Sequence, residues 1–251
     1  MGSQPNSLPQ FLGLPERAIH VWTVALDSGF ALADSLSRDE QERAQRFYFD
    51  RDRRRFVAAR SALRRLLALY LQTSEAALAF QYSKNGKPRI AVPASDLCFN
   101  VSHADAYALL AFRRGGEIGV DIEKVRPEVE TGKLAERFFS ETERDGLRAM
   151  DAAARLNGFF QCWTSKEALL KAWGTGLTVS LASFDVEVNP NLLPALLATR
   201  PDADLKRRWR LYHLDAPPDY LATLAVEAGC EAPRHFQYQN IEKLLDHTLS
   251  F

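Results

Sequence analysis

The chain has 251 residues, of which 46% are hydrophobic and 25% are charged, a composition typical of a globular protein with one large domain or two small ones. Its formal net charge is zero, so no global field favours nucleic acid or a membrane surface, and any anion site must be local. The three cysteines are widely spaced, and residues 1–14 lack the features of a signal peptide. We therefore expect a cytoplasmic protein without disulfides or a membrane-spanning segment.

In the first half, the patterns predict a strand over 20–26 and a helix from Ser37 towards Phe47, opened by a capping box of Ser37 and Glu40. A longer helix is predicted over 50–71, because apolar residues recur there at spacings of three and four. Most of the arginines in that helix are expected to lie on a solvated face. Four short strands should follow, the first two joined by the turn Asn85-Gly86, over 79–82, 88–91, 97–101 and 107–113.

The second half should begin with a strand over 118–123, after the turn-forming pair Gly115-Gly116. Helices over 136–150 and 152–173 follow, and Gly174 ends the second of them. The remaining predicted elements are strands over 183–188, 208–214 and 221–226 and a last helix over 241–249, while the first dozen residues are expected to be loose. We divide the chain into halves at 15–116 and 117–230, followed by a tail at 231–251.

Acidic side chains concentrate in two of these elements. Asp121 and Glu123 are two apart on a strand, so they point to the same face, while Val120 and Ile122 point into the core. Glu167 lies on a largely apolar helix, where a charge needs a partner, a metal ion or a wet cleft. Three carboxylates on rigid elements suit a hard divalent cation such as Mg²⁺.

Glu167 and Lys171 lie four apart in the sequence Trp163-Thr164-Ser165-Lys166-Glu167-Ala168-Leu169-Leu170-Lys171, so they share a helix face and suit a surface ion pair. Lys171 could instead meet an anion held by the cation. Lys166 is expected to point elsewhere, towards phosphate or solvent.

These two stretches, Gly119-Val120-Asp121-Ile122-Glu123 and Trp163 to Lys171, resemble the motifs of the 4′-phosphopantetheinyl transferases, in particular the larger surfactin-synthetase-type branch. The resemblance spans roughly residues 40 to 185. It implies an α+β fold of two similar α/β halves related by a pseudo-twofold axis, with the active site in the cleft between them. Because both halves are paired within a single chain, we expect a monomer.

The resemblance also implies the reaction. A serine of an apo acyl or peptidyl carrier protein would attack the β-phosphate of coenzyme A, take up the 4′-phosphopantetheine arm and release 3′,5′-ADP. Asp121, Glu123 and Glu167 would bind Mg²⁺ together with the pyrophosphate of coenzyme A. Glu167 would take the serine proton, directly or through a water, and Lys171 would stabilise the leaving phosphate.

Further motifs match the family's coenzyme A contacts. In Asn100-Val101-Ser102-His103, a strand is expected to end in a loop that carries Ser102 and His103, and the match implies that His103 contacts the 3′-phosphate with Ser102 nearby. Arg55 aligns with a basic position that meets the same phosphate, and Arg54 would take its place if the alignment shifted by one residue. Lys87 of Gly86-Lys87-Pro88 would reach the nucleotide. Phe138-Phe139-Ser140 with Glu143 matches another motif, in which Glu143 caps or orients nearby groups outside the metal shell.

Three other functions are compatible with parts of this pattern. Carboxylates and basic residues would also serve a Mg²⁺-dependent phosphodiester or pyrophosphate hydrolase. A binding module for coenzyme A or a carrier protein that has lost catalysis is opposed by the intact set of Asp121, Glu123, Glu167 and Lys171. Nucleic-acid binding by the arginine-rich helix is opposed by its apolar stripe and by the zero net charge. Nothing selects among fatty-acid, polyketide and peptide-synthetase carriers.

Overall fold

A computed structural model describes residues 12–28, 35–200 and 202–240 of the chain. The first half of the chain forms the following elements: β1 (His20–Ala25), α1 (Arg38–Gln45), α2 (Asp50–Leu71), β2 (Ala79–Tyr82), β3 (Pro88–Val92), β4 (Leu97–Ala104) and β5 (Tyr107–Arg114). The second half forms β6 (Ile118–Lys124), α3 (Thr131–Phe138), α4 (Glu141–Arg148), α5 (Ala152–Trp173), β7 (Phe184–Val186), β8 (Leu196–Thr199), α6 (Leu205–Arg208), β9 (Trp209–His213), β10 (Tyr220–Glu227) and β11 (Arg234–Gln237).

Two larger sheets and two hairpins organise these strands. The N-terminal sheet has the order β11-β1-β5-β4, with β1 antiparallel to β5 and parallel to β11. The second sheet has the order β6-β10-β9 and is antiparallel throughout. The pairs β2–β3 and β7–β8 form separate antiparallel hairpins. The architecture is therefore α+β, as the sequence predicted.

Each half packs one 22-residue helix against its sheet. The apolar stripe of α2, which includes Leu63 and Leu67, is buried with Trp22 and Phe112 on one face of the N-terminal sheet. In the second half, α5 is buried in a separate core together with residues of α4, β7 and β9. A third core holds the opposite faces of both sheets together, with Val21 and Leu109 from one and Val120, Ile122 and Leu224 from the other. Burial on both faces thus fixes strand β6 between the two halves.

Local interactions account for both ends of α5 and for the C-terminal end of α2. The Asp151 side chain accepts a hydrogen bond from the backbone N–H of Ala154 and so caps the start of α5. At the other end, Gly174 adopts a left-handed φ of 67°, which glycine reaches without steric cost. Helix α2 ends in the same way at Gln72, with φ 53°.

Several elements differ from the sequence prediction. The single helix expected over 136–150 is two helices, because Ser140 accepts a hydrogen bond from the Glu143 N–H while the Glu143 carboxylate accepts one from the Ser140 N–H. This capping box starts α4 and ends the run of α3. Strands β8 and β11 were not predicted. The predicted helix over 241–249 and nearly all of the first dozen residues lie outside the described residues, and the domain limits stay a prediction.

The arginines of α2 are less solvated than expected. Arg64 is buried and donates to the carboxylate of Glu40, which is also buried. Arg60 contacts the same carboxylate. A polar pattern at helical spacing cannot distinguish a solvated arginine from one that is neutralised by a carboxylate on a neighbouring helix. Among the described residues, no helix is both long and apolar enough to cross a membrane.

A buried polar group in the N-terminal sheet leads to a prediction on acid stability. The Nδ1 atom of His20 lies 2.8 Å from the Tyr70 hydroxyl, which also accepts a hydrogen bond from Trp22 at 2.8 Å. Burial, together with the positive charge of Arg234, lowers the pKa of His20 to about 4. Between its usual pKa of about 6.5 and the folded-state value of about 4, His20 binds a proton in the unfolded chain but stays neutral in the folded protein.

We therefore expect His20 to lower the free energy of unfolding by up to about 1.4 kcal/mol per pH unit as the pH falls through this window. His20→Gln should flatten this slope, measured by urea unfolding between about pH 7.5 and about pH 4.5. His213→Gln on β9 is the matched control: burial also lowers the pKa of His213, but less than that of His20, so this variant should change the slope less. Equal slopes for the wild type and His20→Gln would contradict the prediction.

Candidate functional site

The site is built around the face of β6 that points towards α5. Val120 and Ile122 are buried in the core between the sheets, as the strand alternation predicted, and Asp121 and Glu123 lie on the other face. Asp121 is only 4% exposed. Helix α5 runs along this face and carries Glu167 and Lys171 on consecutive turns. The structure thus brings the predicted residues of both stretches together.

Gly119 allows this close approach. A Cβ atom at this position would lie 2.0 Å from the backbone oxygen of Ala168 and 2.4 Å from the backbone nitrogen of Ala172. Both are main-chain atoms of α5, so the clash could be relieved only by moving the helix away from the strand. A glycine at this position therefore sets the spacing between Asp121 and the charged residues of α5.

Gly119→Ala is expected to destabilise the fold by about 1–3 kcal/mol, the usual cost of overpacking, and to impair any activity that needs β6 and α5 together. Thermal unfolding and an activity assay of the same sample measure both effects. Gly132→Ala is the matched control, because a Cβ at Gly132 in α3 meets nothing within 4 Å. Wild-type stability of Gly119→Ala would contradict the prediction.

Lys171 and Ser102 converge on one oxygen of Asp121. The Lys171 Nζ atom lies 2.6 Å from Oδ1 of Asp121, and the Ser102 hydroxyl donates to the same oxygen at 2.8 Å. Lys171 also donates to the Ser102 hydroxyl oxygen, at 2.8 Å. The ion pair that the helical spacing suggested, Lys171 with Glu167, is replaced by one with Asp121, because α5 lies directly on β6.

The second oxygen of Asp121, Oδ2, is buried and has no hydrogen-bond partner among the described residues. A buried carboxylate oxygen without a donor is costly, so it indicates a position for a missing positive group.

The neighbouring carboxylates support the same conclusion. Burial and the nearby charge of Asp121 raise the pKa of Glu123 to about 7. Burial, and then Asp121, also raise the pKa of Glu167. Mutual repulsion of this kind is relieved when a cation binds between carboxylates.

The described residues contain no group of three acidic, histidine or cysteine side chains that is already arranged to hold a metal ion. The donors nevertheless fit Mg²⁺ by their chemistry, since they are hard carboxylate oxygens and one of them has no hydrogen-bond partner in the described part of the chain. Lys171 supplies the positive charge at Asp121 in this structure. Side-chain movement would be needed for the three carboxylates to share one ion.

Strand β4 contributes the adjoining wall from the N-terminal half. The strand continues to Ala104, so Ser102 and His103 lie within it, and the prediction that they lie on a loop was wrong. The strand can continue to Ala104 because the turn from β4 to β5 is tight, and Asp105 adopts a left-handed φ of 47° in it. Burial, and then the charges of Lys171 and Arg43, lower the pKa of His103. Strand alternation points the imidazole to the face opposite Ser102, where it lines a cavity with Arg55.

Asn100 belongs to the motif Asn100-Val101-Ser102-His103, but the sequence did not indicate its role. Its side-chain oxygen accepts a hydrogen bond from the backbone N–H of Val120 at 2.9 Å. The Ser102 hydroxyl accepts a weaker one from the N–H of Ile122, at 3.4 Å. These bonds attach β4 to β6 and join the halves at the site. The signal in the sequence was an amide side chain in an otherwise apolar strand.

Two predicted coenzyme A contacts already have protein partners. Arg55 donates to the carboxylates of Asp27 and Asp105 and lines a cavity of about 390 Å³ with His103. Lys87 is largely buried and donates to Glu117 at 2.7 Å and to the backbone oxygens of Ile118 and Ala172. Lys87 therefore connects the β2–β3 loop to β6 and to the end of α5, which a lysine in a turn motif did not suggest.

Lys166 is also buried, and the expectation that it would contact phosphate or solvent was wrong. Its Nζ atom lies 2.8 Å from the Glu143 carboxylate and donates to the backbone oxygens of Leu181 and Phe184. Glu143 accepts in addition from the N–H of Val186. This agrees with the prediction that Glu143 orients nearby groups. The network holds the side of α5 that faces away from Asp121.

The two stretches that resemble motifs of the 4′-phosphopantetheinyl transferases thus meet where the two halves of the chain join, and comparison with known proteins leads to the same family. A model of the 4′-phosphopantetheinyl transferase superfamily matches residues 117–225, and a model of the 4′-phosphopantetheinyl transferase N-terminal region matches residues 21–114. The chain belongs to this family and is a transferase, which confirms the resemblance found in the sequence.

Three individual relatives are similar in sequence to most of this chain. The 4′-phosphopantetheinyl transferase HetI of Nostoc sp. is 36% identical over 92% of this chain and 96% of its own length. A phosphopantetheinyl transferase of Thraustochytrium sp. is 30% identical over 88% of this chain and 84% of its own. The 4′-phosphopantetheinyl transferase Sfp of Bacillus subtilis is 32% identical over 61% of this chain and 67% of its own.

Proposed function

We propose that this chain transfers the 4′-phosphopantetheine arm of coenzyme A to a serine of an apo acyl or peptidyl carrier protein. The serine oxygen bonds to the β-phosphorus, the pyrophosphate bond breaks, and 3′,5′-ADP leaves with the bonding electrons. The observation that carries the proposal is the cluster of Lys171 and Ser102 on buried Asp121, flanked by two carboxylates with raised pKa values. Family membership supplies the identity of the transferred group.

Asp121, Glu123 and Glu167 are the residues that we propose to hold Mg²⁺. The ion would neutralise the pyrophosphate while negative charge moves to the leaving group. Two observations support this assignment: Oδ2 of Asp121 has no hydrogen-bond partner among the described residues, and burial together with the charge of Asp121 raises the pKa of Glu123. Lys171 neutralises Oδ1 of Asp121 in this structure. Once a second positive charge reaches this carboxylate, Lys171 would be free to turn towards the leaving phosphate.

Glu167 is the proposed general base for the serine hydroxyl, directly or through a water. Its raised pKa brings the carboxyl group closer to the range in which proton transfer is efficient near neutral pH. Its position one helical turn before Lys171 places proton acceptance and charge stabilisation on the same rigid face. Transfer then depends mainly on how well these groups are positioned.

The 3′-phosphate of coenzyme A is proposed to bind in the 390 Å³ cavity that Arg55 and His103 share with Arg43 and Arg126. We now assign Lys87 a positioning role, since its ammonium group is already committed to Glu117 and two backbone oxygens. Asn85 supports it by donating to the backbone oxygen of Gly174 at 2.9 Å.

We further propose that the chain acts as a monomer in the cytoplasm, without nucleic acid or membrane partners. Its three cysteines, Cys98, Cys162 and Cys230, are free, which suits a reducing compartment. Arginines of α2 that might attract nucleic acid have carboxylate partners within the chain. The carrier protein itself is left open among fatty-acid, polyketide and peptide-synthetase types.

The test is the intact mass of an apo carrier protein after incubation with the chain, coenzyme A and Mg²⁺. We expect a gain of one phosphopantetheine arm, and we expect EDTA to abolish it until excess Mg²⁺ is restored. Release of 3′,5′-ADP without a carrier protein would instead indicate a hydrolase. No mass gain with carriers of all three types would reject the proposal.

A further inference from the structure

The guanidinium group of Arg55 is held by two carboxylates on either side of it. Its Nε and Nη2 atoms donate to the two oxygens of Asp27, at 2.9 and 2.7 Å. Its Nη1 atom donates to Asp105 at 2.6 Å. Asp27 therefore uses the paired N–H geometry that an arginine otherwise offers to a phosphate.

The two carboxylates are not equally fixed. Asp105 lies at the tight turn between β4 and β5, is also held by Lys124 at 3.0 Å, and its side chain is 26% exposed. Asp27 follows the end of β1, its side chain is 53% exposed, and it has no second ion-pair partner in the described part of the chain. Of the two, Asp27 is the one that can leave Arg55 at lower cost.

The cavity beside Arg55 favours an anion. Arg43, Arg51, Arg55 and Arg126 line it together with His103, and they outnumber the acidic lining residues Asp52 and Asp105. A phosphate that enters this cavity therefore meets Arg55 on one side while Asp27 occupies its paired donors. The phosphate carries more negative charge than a carboxylate, so it can replace Asp27 at those donors.

We propose that Asp27 is an exchangeable counter-ion of Arg55, which the 3′-phosphate of coenzyme A displaces on binding. This rests on the proposed function, and it makes Asp27 a specificity-determining residue. Its carboxylate competes with the 3′-phosphate, so it lowers the affinity for ligands that carry this phosphate and leaves the affinity for those without it unchanged. Asp105 stays on Arg55 and keeps the guanidinium oriented.

The test uses two nucleotides that differ only in the 3′-phosphate, 3′,5′-ADP and 5′-AMP, with dissociation constants measured by calorimetry. The wild-type protein should bind 3′,5′-ADP more tightly. Asp27→Asn should strengthen binding of 3′,5′-ADP by about fivefold, the scale of an exposed ion pair, and leave 5′-AMP unchanged. In the Arg55→Gln background, the same Asp27→Asn change should have no effect.

Asp52→Asn is the matched control, because Asp52 lines the same cavity and contacts Arg51 rather than Arg55. If Asp52→Asn strengthens binding as much as Asp27→Asn, the effect is general electrostatics and the inference fails. Unchanged or weaker binding of 3′,5′-ADP by Asp27→Asn, while the wild type keeps its preference, also overturns it. A wild type that binds both nucleotides equally, or neither, rejects the phosphate site itself and the inference with it.

Discussion

Replacing Asp121 by asparagine is expected to lower the rate of phosphopantetheine transfer by about a hundredfold to a thousandfold, the usual cost of removing one preorganised electrostatic group. The side chain keeps its shape but loses the charge that pairs with Lys171 and that would attract a cation. An amide nitrogen would also face either the ammonium group of Lys171 or the position of the missing positive group. The rate is measured from the mass gain of an apo carrier protein at saturating coenzyme A.

Asp185→Asn is the matched control for this variant. Asp185 is also a buried, ion-paired aspartate on a strand of the second half, but its partner is Arg200 and it lies outside the acidic cluster. It should lose stability without a comparable loss of transfer. Near-normal transfer by Asp121→Asn would reject both the cation site and the role of the Asp121–Lys171 pair.

Replacing Glu167 by glutamine is expected to lower kcat by about a hundredfold to ten-thousandfold, since it removes the proposed proton acceptor. Binding of 3′,5′-ADP in the cavity beside Arg55 should change little. The role as general base differs measurably from a role as metal ligand alone. Excess Mg²⁺ would restore the activity of a variant with a weakened metal site, but it should not restore Glu167→Gln.

The control for Glu167→Gln is Glu141→Gln, at an exposed position in the first turn of α4. It should transfer at the wild-type rate. Recovery of Glu167→Gln at high Mg²⁺ would show that the residue serves only the metal, and the base would then have to be sought elsewhere in the acidic cluster.

The long helices could be predicted from the sequence to the residue. Helix α2 spans 50–71 and α5 spans 152–173, as predicted from the apolar stripe of α2 and from the apolar run of α5, which Gly174 ends. The left-handed φ of Gln72 at the end of α2 could not be read from the sequence. Strands β8 and β11 have four residues each and, unlike β2 of the same length, no hairpin-turn pair such as Asn85-Gly86 beside them. The break between α3 and α4 could have been found, because Ser140 and Glu143 have the spacing of a capping box.

The sequence predicted which residues lie close together in the candidate site, but it did not predict the partners of their charges. Asp121, Glu123 and Glu167 come together because strand alternation and helical spacing determine which face each occupies. The pairing of Lys171 with Asp121 depends on the distance between α5 and β6, which Gly119 sets through space. Lys87 and Lys166 resemble surface lysines in the sequence, and only the tertiary structure surrounds them with acceptors.

The parallel pairing of β11 with β1 has a consequence for synthesis on the ribosome. Phe236 of β11 stacks on Trp22 and contacts His20, with ring centroids 4.7 and 4.9 Å apart. The N-terminal sheet therefore receives its edge strand only after more than two hundred further residues have been translated. Until then, the edge of β1 that pairs with β11 stays open on the nascent chain and Phe236 is missing from Trp22 and His20, so the first half cannot complete its fold ahead of the second.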